Sequence, residues 1–212
     1  MGPPKVNLIA IWAEKSRGIT LNERMPWEFA REGAYYDDMI RGRNRIRKKE
    51  GDGRNAVVMS GWTWRKGLDV QCNPIDGVVN VVVDGSMVSI GEDSLAKDKE
   101  RGSTTLLCSS YEEALKLLAA DDDGPAGKID QIWNIGGPTV YQQGLEHRSF
   151  HRLYATVVYD DPPCDCFFPE FDPSSLRDVT EQAVGDDPRI PVGMQEEKGV
   201  RYEVFVYERN AA

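Results

Sequence analysis

Among the 212 residues of this chain, Glu32 has the type and setting best suited to acid chemistry. It stands at the start of a predicted helix, Glu32–Ile40, whose inner face carries Tyr35, Tyr36 and Met39. A carboxyl held against apolar surface has its charged form disfavoured, so its pKa climbs towards values useful to a general acid. The other reading is a solvated first-turn glutamate, ionised and stabilised by the helix dipole. Position alone favours that second reading. Gly136-Gly137 is the other chemical feature, lying between an apolar run and the predicted helix that opens at Pro138. Glycines there let a ligand approach the backbone, and the following helix start attracts anions. A tight strand-to-helix turn would need the same two residues.

Other chemistry-bearing residues suggest less. His147 and His151 are four apart, on one face if helical, but no third ligand is placed beside them, and no metal is expected. Cys72, Cys108, Cys164 and Cys166 show no metal-knuckle spacing and are read as reduced thiols. The basic run Arg41, Arg43, Arg45, Arg47, Lys48 and Lys49 reads as a solvated loop.

The elements that must position Glu32 and the glycine pair are short, β-branched runs. They fall at Val6–Ala13, Ala56–Met59, Val78–Val83, Thr104–Cys108, Ile132–Ile135, Leu153–Tyr159 and Tyr202–Tyr207. Their near-continuous apolar character suits strands covered on both faces. Helices are expected between them, at Ser110–Ala120 behind a Ser110/Glu113 capping box and at Pro138–Leu145 behind a first-turn proline. Pro173–Gly199 reads as loop around one short strand, Val179–Val184. Alternating strands and helices imply an α/β layer with a mostly parallel sheet, the last run pairing antiparallel at its edge. No repeat or Gly/Ser linker divides the chain, so one domain is expected over 1–212.

A net charge of −9 with 29% charged residues argues against nucleic-acid and membrane partners, and a small molecule is the expected one. The N-terminus shows no signal-peptide pattern and no run approaches a membrane span, so the expected location is cytoplasmic.

Three segments, in order, resemble the dihydrofolate reductase family. They are Leu8-Ile9-Ala10-Ile11 through Met25-Pro26-Trp27 to Glu32, then Val57 to Trp64, then Ile132-Trp133-Asn134-Ile135-Gly136-Gly137-Pro138-Thr139-Val140-Tyr141. Leu153–Thr156, Asp165–Pro169 and Tyr202–Glu208 also match, so the resemblance spans about 6–209. It implies a single-domain α/β fold with a mostly parallel central sheet, an antiparallel C-terminal edge strand and flanking helices. It also makes Glu32 the pterin-binding acid, partnered by Thr156, with Trp27 beside it and Tyr141 near the nicotinamide. By the same resemblance Ala10, Gly33, Tyr36, Val78 and Ile135 contact substrate. Thr63, Gly136, Gly137 and Asp84 fall at cofactor positions, and the glycine pair carries a cis peptide.

The chain departs from the family where charge is needed. Gly61 replaces a basic residue that grips cofactor phosphates, Asp84-Gly85 a Ser/Thr-Arg pair, and Ser109 a further arginine found in some members. Asp84 would repel a 2′-phosphate and suits a free ribose hydroxyl, so a surviving dinucleotide site is expected to prefer NADH. Val78 replaces the arginine that clamps the glutamate carboxylate of folate, and Gly33 and Tyr36 reshape the pocket. The mobile loop is two residues longer and reads Gly18-Ile19-Thr20, without its usual second glycine. Arg65 and Lys66 lie where they could reach a phosphate, although their family counterparts do not. Together these losses point to an enzyme of specialised metabolism that uses Glu32 on a neutral, apolar molecule without a cofactor, as an isomerase or cyclase. The alternative is a reductase of a C=N or C=C bond using NADH or NADPH, dihydrofolate included. A binding protein without catalysis comes third.

Overall fold

The apolar runs assemble into one sheet in the computed structural model, which describes residues 4–45, 53–66, 73–120 and 122–210. Strand β1 (Val6–Ala13) lies inside it. The strand on either side of it runs parallel to it, while short β2 (Gly18–Thr20) leaves the sheet. After helix α1 (Ala30–Arg41) come β3 (Arg54–Ser60), α2 (Gly61–Lys66), β4 (Val79–Val83), α3 (Glu92–Arg101), β5 (Thr104–Cys108) and α4 (Tyr111–Leu118). Then follow β6 (Ile129–Gly136), α5 (Pro138–Glu146), β7 (Phe150–Val158), β8 (Cys166–Phe167), β9 (Leu176–Asp178), α6 (Thr180–Asp186), β10 (Gln195–Glu197) and β11 (Val200–Arg209). The order across the sheet is β10-β11-β7-β1-β6-β3-β4-β5, with β9 also on β11. Strands β7, β1, β6, β3, β4 and β5 are mutually parallel, and β11 runs antiparallel to β7 as expected. The short β9 and β10 pair with its other side.

Both faces of the sheet are covered, which is why its central strands read as continuous apolar runs. Leu8, Val58 and Val81 pack with Tyr111, Leu115 and Val140 of α4 and α5. Their neighbours Ile9, Val57 and Val82 turn to the opposite face, against Tyr35 and Met39 of α1. Helix α1 buries Glu32, Tyr35, Met39 and Ile40. That spacing is one helical stripe, so the periodicity that docks α1 also carries Glu32 inward. The helix stops at Gly42, whose φ of 66° suits glycine, and Asn55 Nδ2 donates to the carbonyls of Met39 and Ile40.

Several expectations need correction. The expected strand Val179–Val184 is helix α6, started by the Asp178 carboxylate accepting from the Thr180 N–H at 2.8 Å. Helix α3 was not expected, because it is polar nearly all round and leaves no apolar stripe to detect. His147 and His151 do not share a helix. His147 caps α5 and contacts Glu112 and Ser149, whereas His151 lies in β7 beside Asn7. The basic run is not a free loop where it is described. Arg41 and Arg43 both pair with Asp37 and Asp76, and Arg45 with Asp130. Arg47, Lys48, Lys49 and Cys72 lie outside the described residues. Cys108, Cys164 and Cys166 are free thiols. In the capping box, the Ser110 hydroxyl accepts from the Glu113 N–H, and the Glu113 carboxylate reaches back to Ser109. Among the described residues no helix is long and apolar enough to cross a membrane.

Candidate active site

Three elements meet at Glu32. Helix α1 presents it from its first turn, and β7 brings Thr156 opposite, level with Ile11 of the neighbouring β1. The Thr156 hydroxyl donates to Glu32 Oε1 at 3.0 Å. Both residues are buried, Glu32 to 5% exposure. Burial drives the Glu32 pKa up from 4.5 to about 7, against the Thr156 hydroxyl, which lowers it, and with the negative charge of Glu197, which raises it. The two readings of Glu32 are thus decided by the stripe on which it lies.

Beside Glu32 opens a cavity of about 430 Å³ lined by Ile11, Met25, Trp27, Phe29 and Gly33. Its wall is mostly apolar. The Trp27 ring is buried with its Nε1–H directed to Asp160 at 3.3 Å. A Cβ on Gly33 would meet nothing within 4 Å, so glycine leaves this side open. Of the residues expected to contact substrate, Gly33 lines the cavity. Ala10, Val78 and Ile135 are buried in or beside strands and do not line it. Tyr36 does not line it either, but its buried hydroxyl has no partner, and Glu32 pushes its pKa further up after burial.

The glycine pair forms a second focus at the C-terminal end of β6. Its peptide bond is cis, as the resemblance implies. Asn134, an invisible choice in an apolar run, holds the turn from beneath: Oδ1 accepts from the Gly136 N–H at 3.0 Å and Nδ2 donates to the Val140 carbonyl at 2.7 Å. A Cβ at Gly136 would lie 2.4 Å from the Tyr141 ring, so glycine is required. Tyr141 is locked by its hydroxyl donating to the Ile9 carbonyl at 2.9 Å. A Cβ on Gly137 would lie 3.3 Å from the Thr63 hydroxyl, a tight approach, so glycine lets the two elements come close. Ser60 ties the two parts together, accepting from the N–H groups of Thr63 at 3.0 Å and Gly137 at 3.2 Å. Sequence reasoning missed Ser60, although a serine three residues before Thr63 at a helix start is a recognisable cap.

Asp84 follows β4 directly and lies beside Gly61, with its carboxylate already occupied. Its Oδ1 accepts from Ser86 and Met87, and its Oδ2 pairs with Arg65 at 3.0 Å. These donors, Ser86 first, hold its pKa down at about 2. A Cβ on Gly61 would lie 2.0 Å from that Oδ2, so glycine at 61 is what leaves room for the Asp84 carboxylate. Arg65 stands one turn further along the same face of α2. It places a cation at this edge, paired with Asp84.

The mobile loop of the expectation is tied down here, with β2 pairing antiparallel to β8. Gly18 is needed because a Cβ there would lie 2.5 Å from Cys164 Sγ.

A mostly parallel sheet with a buried acid beside an apolar cavity, and a glycine cradle at the ends of its strands, defines a small-molecule enzyme of the α/β class. The chain belongs to the dihydrofolate reductase family. A family model described as "Dihydrofolate reductase" matches residues 87–201. Dihydrofolate reductase of Drosophila melanogaster is 30% identical, over 98% of this chain and 99% of that protein. That of Aedes albopictus is 28% identical, over 91% of each. The solved Schistosoma mansoni dihydrofolate reductase superposes with a TM-score of 0.73 at 22% identity, covering 99% of this chain and all of that one, and shares the fold.

These relatives overturn the expectation of a cofactor-independent isomerase or cyclase. Proteins that match the chain nearly end to end are named as reductases. A reductase needs a source of electrons, so the expectation of a site without a cofactor falls as well. Its physical premise was the loss of cationic residues at single positions, and Arg65 stands near one of them, paired with Asp84.

Proposed function

We propose that this protein reduces dihydrofolate with NADPH. The observation that carries the reading is Glu32, buried, hydrogen-bonded to Thr156 and facing an apolar cavity, so that a large share of it holds a proton near neutral pH. The names of the full-length relatives supply the substrate and the direction of the chemistry.

NADPH, when bound, supplies a hydride to the C=N bond being reduced. The residues that would hold it are Thr63 and Ser60, the backbone of Gly136-Gly137, and Arg65, whose pairing with Asp84 leaves further N–H groups of its guanidinium to meet a phosphate. Glu32 orients the pterin and keeps a proton available at the reacting end of the cavity. Thr156 fixes Oε1, which leaves Oε2 to meet the ligand. Trp27 and Phe29 exclude water from the carboxyl, which keeps its neutral form populated. Val78 is fully buried and the nearby Arg41 and Arg43 are already paired, so recognition of the substrate rests on its ring system more than on its carboxylate tail.

The test is steady-state turnover with dihydrofolate and NADPH. Loss of nicotinamide absorbance in proportion to dihydrofolate supplied is expected, with Glu32→Gln slower by roughly 100-fold or more. Wild-type protein that leaves both compounds unchanged would refute the proposal.

A further inference from the structure

We infer that Glu197 is a positioning residue for Glu32: it occupies the N-terminus of α1 and thereby adds to the burial that keeps the neighbouring acid neutral. The inference rests on Glu32 being the acid of the proposed reduction.

An α-helix begins with N–H groups that have no partner inside the helix, and its start carries a partial positive charge. In α1 the residue at the cap is Phe29, which has no side-chain acceptor and makes no capping bond. Left so, the first turn would favour the ionised form of any carboxylate it carries, and Glu32 is in that turn. The donors go elsewhere. The Glu197 carboxylate accepts from the Arg31 N–H at 3.1 and 3.2 Å and from the Glu32 N–H at 3.4 Å. The Tyr202 hydroxyl donates to the same carboxylate at 2.6 Å. Its neighbours add to the grip: the Glu196 carbonyl accepts from the Arg31 guanidinium, and Lys198 pairs with Glu28 at 2.6 Å. Three consecutive residues at the β10–β11 turn therefore hold the entry to α1, some 165 positions away in sequence.

Two effects follow for Glu32. The positive end of α1 is spent on another carboxylate, and a second negative charge stands beside the first turn. Burial pushes Glu197 up, but the Tyr202 hydroxyl and the N–H groups of Arg31, Glu32 and Ala30 outweigh it and hold Glu197 below the usual carboxylate range. One carboxyl is thus kept charged so that the other stays protonated. The remaining charged and titratable groups do not reverse this, the largely exposed Arg31 guanidinium, 3.8 Å from Glu197 Oε1, included. Tyr35 and Tyr36 of α1 and Tyr141 of α5 stay neutral, Thr156 of β7 donates a single hydrogen bond, and Lys198 at the cavity is matched by Glu28.

The experiment is Glu197→Gln in the whole protein, read in two ways. The amide oxygen still accepts from the helix, so capping survives while the charge goes. Carbon-13 NMR titration of labelled glutamate carboxyls, assigned with Glu32→Gln, is expected to show the Glu32 midpoint fall by roughly one pH unit. The pH profile of kcat/KM should move with it, about tenfold lower near pH 8 and unchanged near pH 5. Glu197→Asp, which keeps the charge, should keep a midpoint near that of the wild type. A midpoint that does not move, or rises, in folded Glu197→Gln would overturn the inference. If the wild type fails to turn over dihydrofolate, the reading of the reaction fails, while the NMR titration still decides the role of Glu197.

Discussion

Replacing Glu32 by glutamine should make the protein more stable at alkaline pH, because the active-site acid is kept neutral at the expense of the fold. The Glu32 pKa of about 7 in the folded chain stands against 4.5 for an ordinary glutamate. A group whose folded pKa is raised contributes stability that is whole below the unfolded value and is lost as pH climbs through the folded one. At about 1.4 kcal/mol for each pH unit, the interval from 4.5 to about 7 corresponds to about 3 kcal/mol. Glutamine has the shape of the protonated acid and never ionises. The assay is denaturant unfolding of wild type and Glu32→Gln at a series of pH values across that window. Below about pH 4.5 the two curves should nearly coincide, and the midpoint of the variant should then draw steadily ahead, by about 3 kcal/mol above pH 7. A difference independent of pH would show that Glu32 has the same pKa in both states, and the argument from burial would fail.

Other perturbations separate the parts of the site. Thr156→Val removes the donor to Glu32 Oε1, so it should raise the midpoint of the acid further and cost about 1 kcal/mol of stability; NMR titration and unfolding curves check the two halves. Arg65→Ala should weaken NADPH binding, measured by tryptophan fluorescence, by about tenfold while NADH changes little, since the variant leaves Asp84 bare before the extra phosphate. Equal losses for the two dinucleotides would contradict the placement of Arg65. Gly144→Ala would put a Cβ 2.4 Å from Asn134 Nδ2, disturbing the group that holds Gly136; a loss of about 1–3 kcal/mol is expected in urea melts.

The sheet was legible because its strands are buried on both faces, and a continuous β-branched run such as Val78–Val83 has few other uses. Helix α1 could be found from the stripe Glu32, Tyr35, Met39, but the same stripe also carried the information that Glu32 is buried, which position at a helix start had obscured. Helix α3 left no trace because its face toward the sheet buries a polar residue, Asp98, which is satisfied by Ser103 and Thr105. Within the site, Thr156, Trp27 and the glycine pair could be placed from their motifs. Glu197 could not, since its partner lies far away in the chain and no local pattern marks an acid that caps a distant helix. Asp84 shows a related limit. Its meaning depends on Arg65 and on the empty side of Gly61, and both relations exist only once α2 has packed beside β4.

The most direct test of the proposed function is a single-turnover reaction with NADPH that carries deuterium at its transferable nicotinamide position. Mass spectrometry of the pteridine product should show the deuterium on the reduced ring in wild-type protein, with transfer strongly slowed in Glu32→Gln. Deuterium that stays wholly on the nicotinamide while dihydrofolate remains unreduced would contradict the proposal that Glu32 and its cavity serve hydride transfer to this substrate.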